Sequence, residues 1–580
     1  MFDILIKNGL IYDGMGGDPF HADIGIIGEK IAKIGQLHDN AHKIIDAKGK
    51  IITPGFVDIH THYDGQATWD QEMAPSSWHG VTTVVMGNCG VGFAPAKPDQ
   101  HDWLIGLMEG VEDIPGTALA EGMPWNWESF PEYMDALEAM PRTIDIAAQV
   151  PHGAVRAYVM GKRGADNEEP TQQDIDAMAA IVEEGLNAGA LGFSTSRTVL
   201  HKSIDGELVP GTTATEPELI GIGRALGRAG HGVFELTSDL LPEWDEFSWM
   251  GKLSKETGRP VSFSMLQSPI KQMHWADQMA AMRAANDDGA NIVAQIGLRG
   301  IGVIMNWRGT VHPFMQKPAW KEIEGLSWDE QFAKLSDPIF KQALLTQENL
   351  PPPSPDMAPF FMLVTAAWAM QFPLVDNFSY EPTRGESIWG EADKLGKDAA
   401  EYAYDYMMEN GGSGLIYLPI LNYMDGNLDF VESLLHSDDA VVSLSDGGAH
   451  CGTICDAAAP TFLLSYWARD RKAGTISLSL AVKRQCHDTA ILYGLQDRGV
   501  IKAGYLADIN IIDYDKLGLE KPWLAFDLPA GGKRLLQKAR GYCATIKSGK
   551  VTFENGVMTG AYPGGLIRGP QNVNLMQAPQ

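Results

Sequence analysis

The chain contains little cysteine. Its 580 residues include five Cys, an odd and small number that excludes a disulfide framework as the basis of the fold. Two of them, Cys451 and Cys455, lack a second Cys or His pair at the spacing of a zinc ribbon, so we interpret both as structural. The other three are Cys89, Cys486 and Cys543.

Long apolar segments and positive charge are scarce as well. No apolar run reaches about 18 residues, which argues against a transmembrane helix. The first residues carry an acid at position three and no apolar core of the signal-peptide kind. The formal charge is -29, with 45 Lys and Arg against 74 Asp and Glu, and such a surface repels nucleic acid phosphates and anionic membranes. We expect a cytoplasmic protein whose partner is a small molecule, with no nucleic acid or membrane partner. A homo-oligomer is compatible with this composition.

The pattern of elements divides the chain into β-rich ends and a long α/β middle. Residues 1–53 and 496–580 contain short β-patterned segments with hairpin turns, and we expect them to pair in one small β-sandwich domain. The middle, residues 54–495, alternates β-branched strands with amphipathic helices. The total length exceeds the usual single-domain range of roughly 50–250 residues, which agrees with this division.

Eight strands can be counted in the middle part. They begin at about residues 56, 80, 144, 190, 232, 261, 291 and 441. Repeated strand–helix–strand units predict an α/β fold, a (β/α)8 TIM-type barrel with its active site at the carboxyl ends of the strands. A doubly wound sheet is the alternative. The segment at about 300–440, between strands seven and eight, is too long for a loop and is predicted to be an insertion beside the barrel mouth.

The first barrel strand carries the most informative motif. The run Pro54–His62 reads as a short apolar strand that ends in His-x-His. Side chains at i and i+2 of a strand point the same way, so His60 and His62 direct two imidazoles to one point. Imidazole is a common ligand of zinc and other divalent metals. The pair therefore predicts a metal site.

Two further donors follow other predicted strands. Cys89 comes after strand two and Asp446 after strand eight. Taken alone, Cys89 would be a small buried hydrophobe and Asp446 a turn or helix-capping residue. Strand eight faces strand one in a closed barrel, which favours the ligand interpretation for Asp446. A carboxylate beside a bound metal can take a proton from activated water and return it to a leaving amine, which predicts hydrolysis of a C–N bond.

The order of these motifs resembles the amidohydrolase superfamily. Within it, the runs Gly87–Gly90, Gly192–Thr195 and Ser445–His450 look like the N-acyl-D-amino-acid deacylase (D-aminoacylase) branch. The resemblance covers nearly the whole chain apart from the longer insertion. It implies a metal-dependent amide hydrolase that acts on an N-acyl amino acid or a related amide.

The resemblance also implies roles for particular residues. His60, His62 and Asp446 would hold a metal ion, with Cys89 as a further, bridging ligand, and Asp446 would be the general base. His152 matches a histidine common in the branch.

The chain departs from the branch at two strands. The metal-binding histidine expected at strand five is replaced by Thr237, and the one at strand six falls in Ser264–Gln267, which contains no histidine. We therefore expect one divalent ion per chain, most simply zinc. The lysine that would meet a substrate carboxylate is replaced by Gln267. The candidate substrate-binding residues are His152, Arg197, Glu235 and His450, and Glu235 could instead offer the metal a carboxylate.

Two other functions stay open at this point. One is hydrolysis of cyclic amides of the dihydropyrimidinase or hydantoinase kind. That group uses a carboxylated lysine at strand four, whereas Phe193–Ser196 contains no lysine. The other is a catalytically degenerate barrel that acts as a binding protein.

Overall fold

The computed structural model describes residues 1–268 and 273–573. The strands, in chain order, are β1 (Phe2–Ile11), β2 (Phe20–Ile27), β3 (Lys30–Gly35), β4 (Ala41–Asp46), β5 (Ile51–Pro54), β6 (Phe56–Asp58), β7 (Val81–Met86), β8 (Asp145–Ala148), β9 (Val150–Pro151), β10 (Gly192–Arg197), β11 (Val233–Ser238), β12 (Val261–Met265), β13 (Ile292–Ile296), β14 (Ile301–Met305), β15 (Phe372–Pro373), β16 (Ile416–Leu421), β17 (Ala440–Val442), β18 (Ile509–Ile512), β19 (Gly518–Leu519), β20 (Trp523–Leu528), β21 (Gly532–Leu536), β22 (Ala539–Arg540), β23 (Tyr542–Lys547), β24 (Lys550–Glu554) and β25 (Val557–Met558).

The α-helices lie mainly between these strands. They are α1 (His101–Glu112), α2 (Gly116–Gly122), α3 (Phe130–Glu138), α4 (His152–Met160), α5 (Lys162–Ala165), α6 (Gln172–Ala188), α7 (Glu216–Ala229), α8 (Glu246–Thr257), α9 (Trp275–Asp287), α10 (Pro318–Lys321), α11 (Trp328–Leu335), α12 (Pro338–Thr346), α13 (Ala358–Ala366), α14 (Ile388–Leu395), α15 (Ala399–Gly412), α16 (Asp429–Leu435), α17 (Ala459–Phe462), α18 (Leu478–Lys483) and α19 (Thr489–Leu492).

Parallel strands in sequential order form the centre of the molecule. β6, β7 and β8 pair in one sheet, and β9 to β13 followed by β17 pair in another. A single residue separates β8 from β9, so together they occupy the place of one strand. The last strand meets the first because Asp446 N donates to His60 O at 3.1 Å and His62 N donates to Gly447 O at 2.8 Å. This order is that of a barrel and differs from a doubly wound sheet, in which the strand order reverses.

The two ends of the chain pair with each other beside these strands. β1 to β5, β18 and β23 to β25 form one nine-stranded mixed sheet. The junction is the antiparallel pair β5–β18, in which Ile52 lies opposite Ile511. Both isoleucines are buried in a largely isoleucine cluster, so apolar burial holds the two ends together.

A buried ionic cluster connects this sheet to the barrel strands. Lys547 Nζ on β23 lies 2.9 Å from the Asp145 carboxylate on β8 and 3.1 Å from Asp508. Arg498 Nη1 contacts the same Asp145 carboxylate at 2.6 Å. Two cations and two carboxylates therefore neutralise each other where water is excluded, which makes each of them costly to remove singly.

The segment between β13 and β17 has a core of its own. It contains the antiparallel sheet β14–β16–β15 and helices α10 to α16. Buried aromatic side chains fill its centre, among them Trp307, Phe314, Trp320 and Tyr404. This insertion packs against the loop after β17, where Ile304 N donates to Thr453 O at 2.6 Å.

The hairpin β20–β21 packs on the same loop from the other side. Leu535 N donates to Cys451 O at 2.6 Å. The insertion and the hairpin thus both contact the loop that follows the eighth barrel strand. Across the described ranges, we find no helix with the length and apolar character of a membrane span.

Candidate metal centre

His60, His62 and Cys89 come together at the carboxyl ends of β6 and β7. One donor atom from each side chain lies within 4.8 Å of the other two, and all three side chains are buried. The His60 Nε2 to Cys89 Sγ distance is 3.3 Å. Cys89 lies 27 residues after His62 in the sequence but beside both histidines in the barrel, because β6 and β7 are paired neighbours.

Asp446 completes the group from the loop after β17. Its Oδ1 lies 3.6 Å from His60 Nε2 and 3.7 Å from His62 Nε2. The backbone is left-handed at Asp446, with φ 48°, and at Cys89, with φ 54°. Non-glycine residues adopt this conformation rarely and at a cost, which the surrounding structure must offset. Gly90 follows with φ 69°, and a Cβ there would approach the Ser196 backbone nitrogen to 2.8 Å.

The far ring nitrogens of both histidines face acceptors. His60 Nδ1 is 2.8 Å from Gln295 Oε1, and His62 Nδ1 is 3.2 Å from Glu112 Oε1. The second Glu112 oxygen lies 3.4 Å from His450 Nε2. At His60 the hydrogen bond to Gln295 places the proton on Nδ1 and leaves the Nε2 lone pair free, on the side where Asp446 and Cys89 lie. At His62 the Glu112 carboxyl group lies close to Nδ1 without forming a hydrogen bond, and its proximity favours the same tautomer.

Several donor separations match those around a tetrahedral divalent ion. Ligands at about 2.0–2.3 Å from a tetrahedral zinc lie about 3.3–3.8 Å from each other. Three separations, at 3.3, 3.6 and 3.7 Å, lie in that range, and one donor atom from each of His60, His62 and Cys89 lies within 4.8 Å of the other two. Two imidazoles, a thiol and a carboxyl group also match the ligand types that zinc prefers. The residues present therefore fit a zinc-like ion.

Burial controls the charge of these groups. It raises the pKa of Asp446 to about 8, helped by the nearby carboxylates Asp456 and Asp58, and it lowers the pKa of His60 to about 4. Burial also raises the pKa of the Cys89 thiol well above its ordinary value, with a further contribution from Glu235. A divalent cation would reverse the shifts of the carboxyl and thiol groups because it stabilises their anionic forms.

Glu235 on β11 points into the barrel. Its Oε2 accepts a hydrogen bond from Cys89 N at 3.0 Å, and its Oε1 lies 3.9 Å from His60 Nδ1. The carboxyl group thus lies on the Nδ1 side of His60 and supports the backbone of Cys89. Further along the barrel, Thr237 and the buried Met265 occupy the ends of β11 and β12, so neither strand presents an imidazole.

His152 and Arg197 are engaged in contacts within the protein. His152 Nδ1 is 2.8 Å from Thr195 Oγ1, and its Nε2 is 3.2 Å from Glu218 Oε1. Arg197 Nε donates to Glu246 Oε1 at 2.7 Å. Both side chains are at least nine-tenths buried. The Arg197 guanidinium is therefore already paired with a carboxylate, as a structural arginine would be.

Gln267 contacts the segment that follows β16. Its Nε2 donates to Asp425 Oδ2 at 2.7 Å, and its Oε1 accepts from Met424 N at 3.0 Å. The side chain that stands in place of the expected lysine is thus used to hold a loop.

Sequence reasoning missed three residues of this site. Gln295 carries a visible signal, because it is a polar side chain within the apolar strand Ile292–Ile296. Glu112 ends α1 and has no recognisable motif. His201, whose Nδ1 is 3.1 Å from Ser196 Oγ, has a pKa lowered to about 3 by burial and by the neighbouring histidines.

Comparison with known proteins decides the family. The model of the amidohydrolase family matches residues 43–367, more than half of the chain. The chain belongs to the amidohydrolase family. It is therefore a hydrolase of carbon–nitrogen bonds other than peptide bonds, and the family resemblance read from the motifs is confirmed.

Relatives in sequence place this amidohydrolase on the D-aminoacylase-like branch. D-aminoacylase from Alcaligenes xylosoxydans xylosoxydans is 27% identical over 527 residues, which cover 88% of this chain and 88% of that protein. N-acyl-D-glutamate deacylase from the same organism is 34% identical over 233 residues, or 39% of this chain and 42% of that protein.

Solved structures show the same fold. A D-aminoacylase described by the role of its binuclear metal centre, with one-metal activation and second-metal attenuation, has a TM-score of 0.65 at 23% identity, and the match covers 98% of this chain and 100% of that one. N-acyl-D-glutamate deacylase from Bordetella bronchiseptica, complexed with zinc and a phosphonate inhibitor that mimics the tetrahedral intermediate, has a TM-score of 0.63 at 21% identity, covering 98% and 99%.

Proposed function

We propose that this amidohydrolase is a metal-dependent deacylase of an N-acyl amino acid or a related small amide. The observation that carries the proposal is the convergence of His60, His62, Cys89 and Asp446 at the carboxyl ends of the barrel strands, in a chain of this family. The names of the relatives, D-aminoacylase and N-acyl-D-glutamate deacylase, support the substrate class.

The four side chains would hold one divalent ion, most simply zinc. Bound there, the ion would polarise the amide carbonyl and supply a nucleophilic water at neutral pH. Gln295 and Glu112 would keep the two imidazoles in the tautomer and orientation that ligation needs.

Asp446 is the proposed general base. Its carboxyl group touches both imidazoles and is still 12% exposed, so a substrate amide can reach it. It would take the proton from the attacking water at one carboxylate oxygen and then deliver it to the leaving nitrogen. The amine departs protonated and the carboxyl group returns to its ionised form.

We propose one ion per chain because Thr237 and Met265 supply no imidazole. A one-metal centre has a chemical precedent in the neighbouring D-aminoacylase, which is described as having one-metal activation. Elemental analysis of purified, metal-loaded protein tests the count. We expect one zinc per chain after dialysis, and two tightly retained ions would contradict the proposal.

The general-base role is tested with Asp446→Asn. We expect kcat for an N-acyl amino acid to fall by about 10²–10⁴-fold at saturating zinc, the usual contribution of general acid–base catalysis. The control is Asp438→Asn, a carboxylate eight residues earlier that is 94% exposed. Near-native kcat in Asp446→Asn with zinc bound would exclude the role.

Among the residues that the structure describes, the substrate α-carboxylate has no evident cationic partner in this site. Gln267 replaces the expected lysine, and Arg197 is paired with Glu246. We therefore propose that a free carboxylate is not required, and that N-acetyl-D-amino acid carboxamides are hydrolysed with a kcat/KM similar to that of the free acids. A preference for the free acids of about a hundredfold or more would contradict this.

The proposal also covers the domain bounds, the cellular location and the two alternative functions. We propose a closed (β/α)8 barrel domain at 54–495 with the insertion at about 300–440, and a β-sandwich domain formed by 1–53 and 496–580. The cellular location proposed is the cytoplasm. Hydrolysis of cyclic amides is the less favoured function, because β10 carries no lysine. Measurable amide hydrolysis would exclude the binding-protein alternative.

A further inference from the structure

Two adjoining cavities lie between the insertion and the β20–β21 hairpin. One has a volume of about 400 Å³ and is lined by Trp307, Trp328 and Phe526 among others, and the second has about 340 Å³ and is lined in part by Trp523. Arg308 lines both cavities, and we call the two together the hairpin groove.

The charge of the hairpin groove is opposite to that of the protein. Arg308, Lys521 and Lys533 line it, whereas the chain as a whole carries a formal charge of -29. Within the part of the chain that the structure describes, none of these three side chains forms an ion pair within 4.0 Å. Among the side chains lining the groove, the only carboxylate is Glu324, which pairs with Lys321 at 2.7 Å. None of the three cations is paired at close range, although Asp113 lies near Lys533 and Asp329 near Arg308 and each interacts with its neighbour electrostatically.

Aromatic rings enclose the central cation. The Arg308 guanidinium lies 4.0 Å from the ring centre of Phe526 and 5.2 Å from that of Trp328. On the hairpin side, Phe526 is 42% exposed and Trp523 is 36% exposed, although both are large apolar side chains. Rings held open to solvent on either side of a guanidinium make a place for a flat ligand.

Two buried N–H donors in the wall of the groove have no partner. Trp307 Nε1 and His312 Nε2 are both without a hydrogen bond, and each residue is only 2% exposed. His312 Nδ1 accepts from Phe314 N at 3.3 Å, which places the ring proton on Nε2. Burial lowers the pKa of His312 to about 3, so the ring is neutral. Unsatisfied buried donors are uncommon and call for an acceptor.

The hairpin groove is separate from the metal centre. Neither cavity is lined by His60, His62, Cys89 or Asp446. The deacylase site therefore accounts for none of the unpaired groups in the groove.

We propose that the hairpin groove binds an aromatic carboxylate. The carboxylate would meet Arg308 and Lys533, and its ring would lie against Trp328 and Phe526. The two unpaired N–H donors of Trp307 and His312 lie behind the surface of the groove and take no part in this assignment. A neutral aromatic molecule would leave the cations unpaired, and a small inorganic anion would leave the rings exposed. An aromatic carboxylate is the simplest class of ligand that pairs with the cations and also covers the exposed rings.

Isothermal titration calorimetry with benzoate, benzamide and cyclohexanecarboxylate tests the assignment. We expect benzoate to bind native protein about tenfold or more tightly than either of the others, because each lacks one of the two recognised features. Arg308→Gln and, independently, Lys533→Gln should each weaken benzoate by about tenfold. The matched control is Arg384→Gln, since Arg384 also lies over a tryptophan ring of the insertion, Trp389, at 4.9 Å, but lines neither cavity.

Binding must also be independent of the deacylase site. We expect Asp446→Asn to bind benzoate as native protein does. Loss of binding in that variant would assign benzoate to the metal centre and overturn the proposal. It would equally be overturned by undetectable benzoate binding, by equal affinity for benzamide, or by unchanged affinity in folded Arg308→Gln and Lys533→Gln.

Discussion

Replacing Glu112 by Gln should weaken zinc binding while leaving all four proposed ligands in place. The Glu112 carboxyl group is 1% exposed and lies 3.2 Å from His62 Nδ1 and 3.4 Å from His450 Nε2. Burial holds its pKa well above the ordinary value, with Asp446 adding to the effect. A cation on the other side of His62 would favour the ionised form, and the carboxylate would in turn make the imidazole a stronger donor.

The size of the effect follows from this arrangement. The loss of a carboxylate partner of a ligating histidine usually costs 10–100-fold in metal affinity. A glutamine keeps a polar side chain beside His62 Nδ1 but carries no negative charge, so we expect about tenfold, or about 1.4 kcal/mol, for Glu112→Gln. Glu112→Ala removes the polar group as well and should approach a hundredfold, or about 2.7 kcal/mol.

The assay is competition with a chromophoric chelator at fixed pH, which reports zinc affinity without reference to catalysis. Glu109→Gln is the matched control, because Glu109 lies about one turn earlier on α1, is partly exposed and contacts neither histidine. Native zinc affinity in folded Glu112→Gln and Glu112→Ala would refute the positioning role and leave the buried carboxyl group without a function at the metal.

Three further results are expected. Cobalt-loaded protein should show thiolate-to-cobalt absorption in the near ultraviolet, and Cys89→Ser should abolish it. If the absorption persists in Cys89→Ser, Cys89 is not a ligand. Zinc binding at pH 7 should release protons, measured by calorimetry in buffers of different ionisation enthalpy, because burial and nearby carboxylates raise the pKa of Asp446 to about 8 and the metal would ionise it; no release would contradict this. Asp145→Asn should lower the free energy of unfolding by about 3–5 kcal/mol in urea titrations, since it removes the carboxylate that Lys547 and Arg498 share and leaves these buried cations with less negative charge nearby. Asp135→Asn, at a 73% exposed carboxylate, should change it little. Burial alone would raise the pKa of Asp145, but the cations Lys547 and Arg498 outweigh burial and lower the pKa. The stability that the Asp145 carboxylate contributes is therefore complete above pH ~4 and declines as the pH falls through the pKa of Asp145 in the folded protein.

The strand pattern could be predicted from sequence because it depends on local periodicity. The strands of the middle part begin close to the positions expected, and strands from both ends of the chain lie in one sheet. The insertion was recognisable only by its length. Its three-stranded sheet and aromatic core depend on contacts between β14, β15 and β16, which are far apart in the chain. Local sequence patterns do not predict pairing between such distant segments.

The sequence by itself determined the candidate ligand types and the family. Strand alternation predicted that His60 and His62 point the same way, although β6 ends at Asp58 before both, and the predicted strand ends and family motifs named Cys89 and Asp446. Sequence also showed that Thr237 and Met265 cannot supply the two further imidazoles.

Only the tertiary structure decided what surrounds those ligands. Glu112 contacts His62 from the end of a helix, and Gln295 contacts His60 from across the barrel. Arg197 pairs with Glu246 and is not free to pair with a substrate. Hydrogen bonds and ion pairs form between atoms a few ångströms apart, whatever their separation in sequence. A motif identifies which donors are present, but the folded chain determines which partner each one meets.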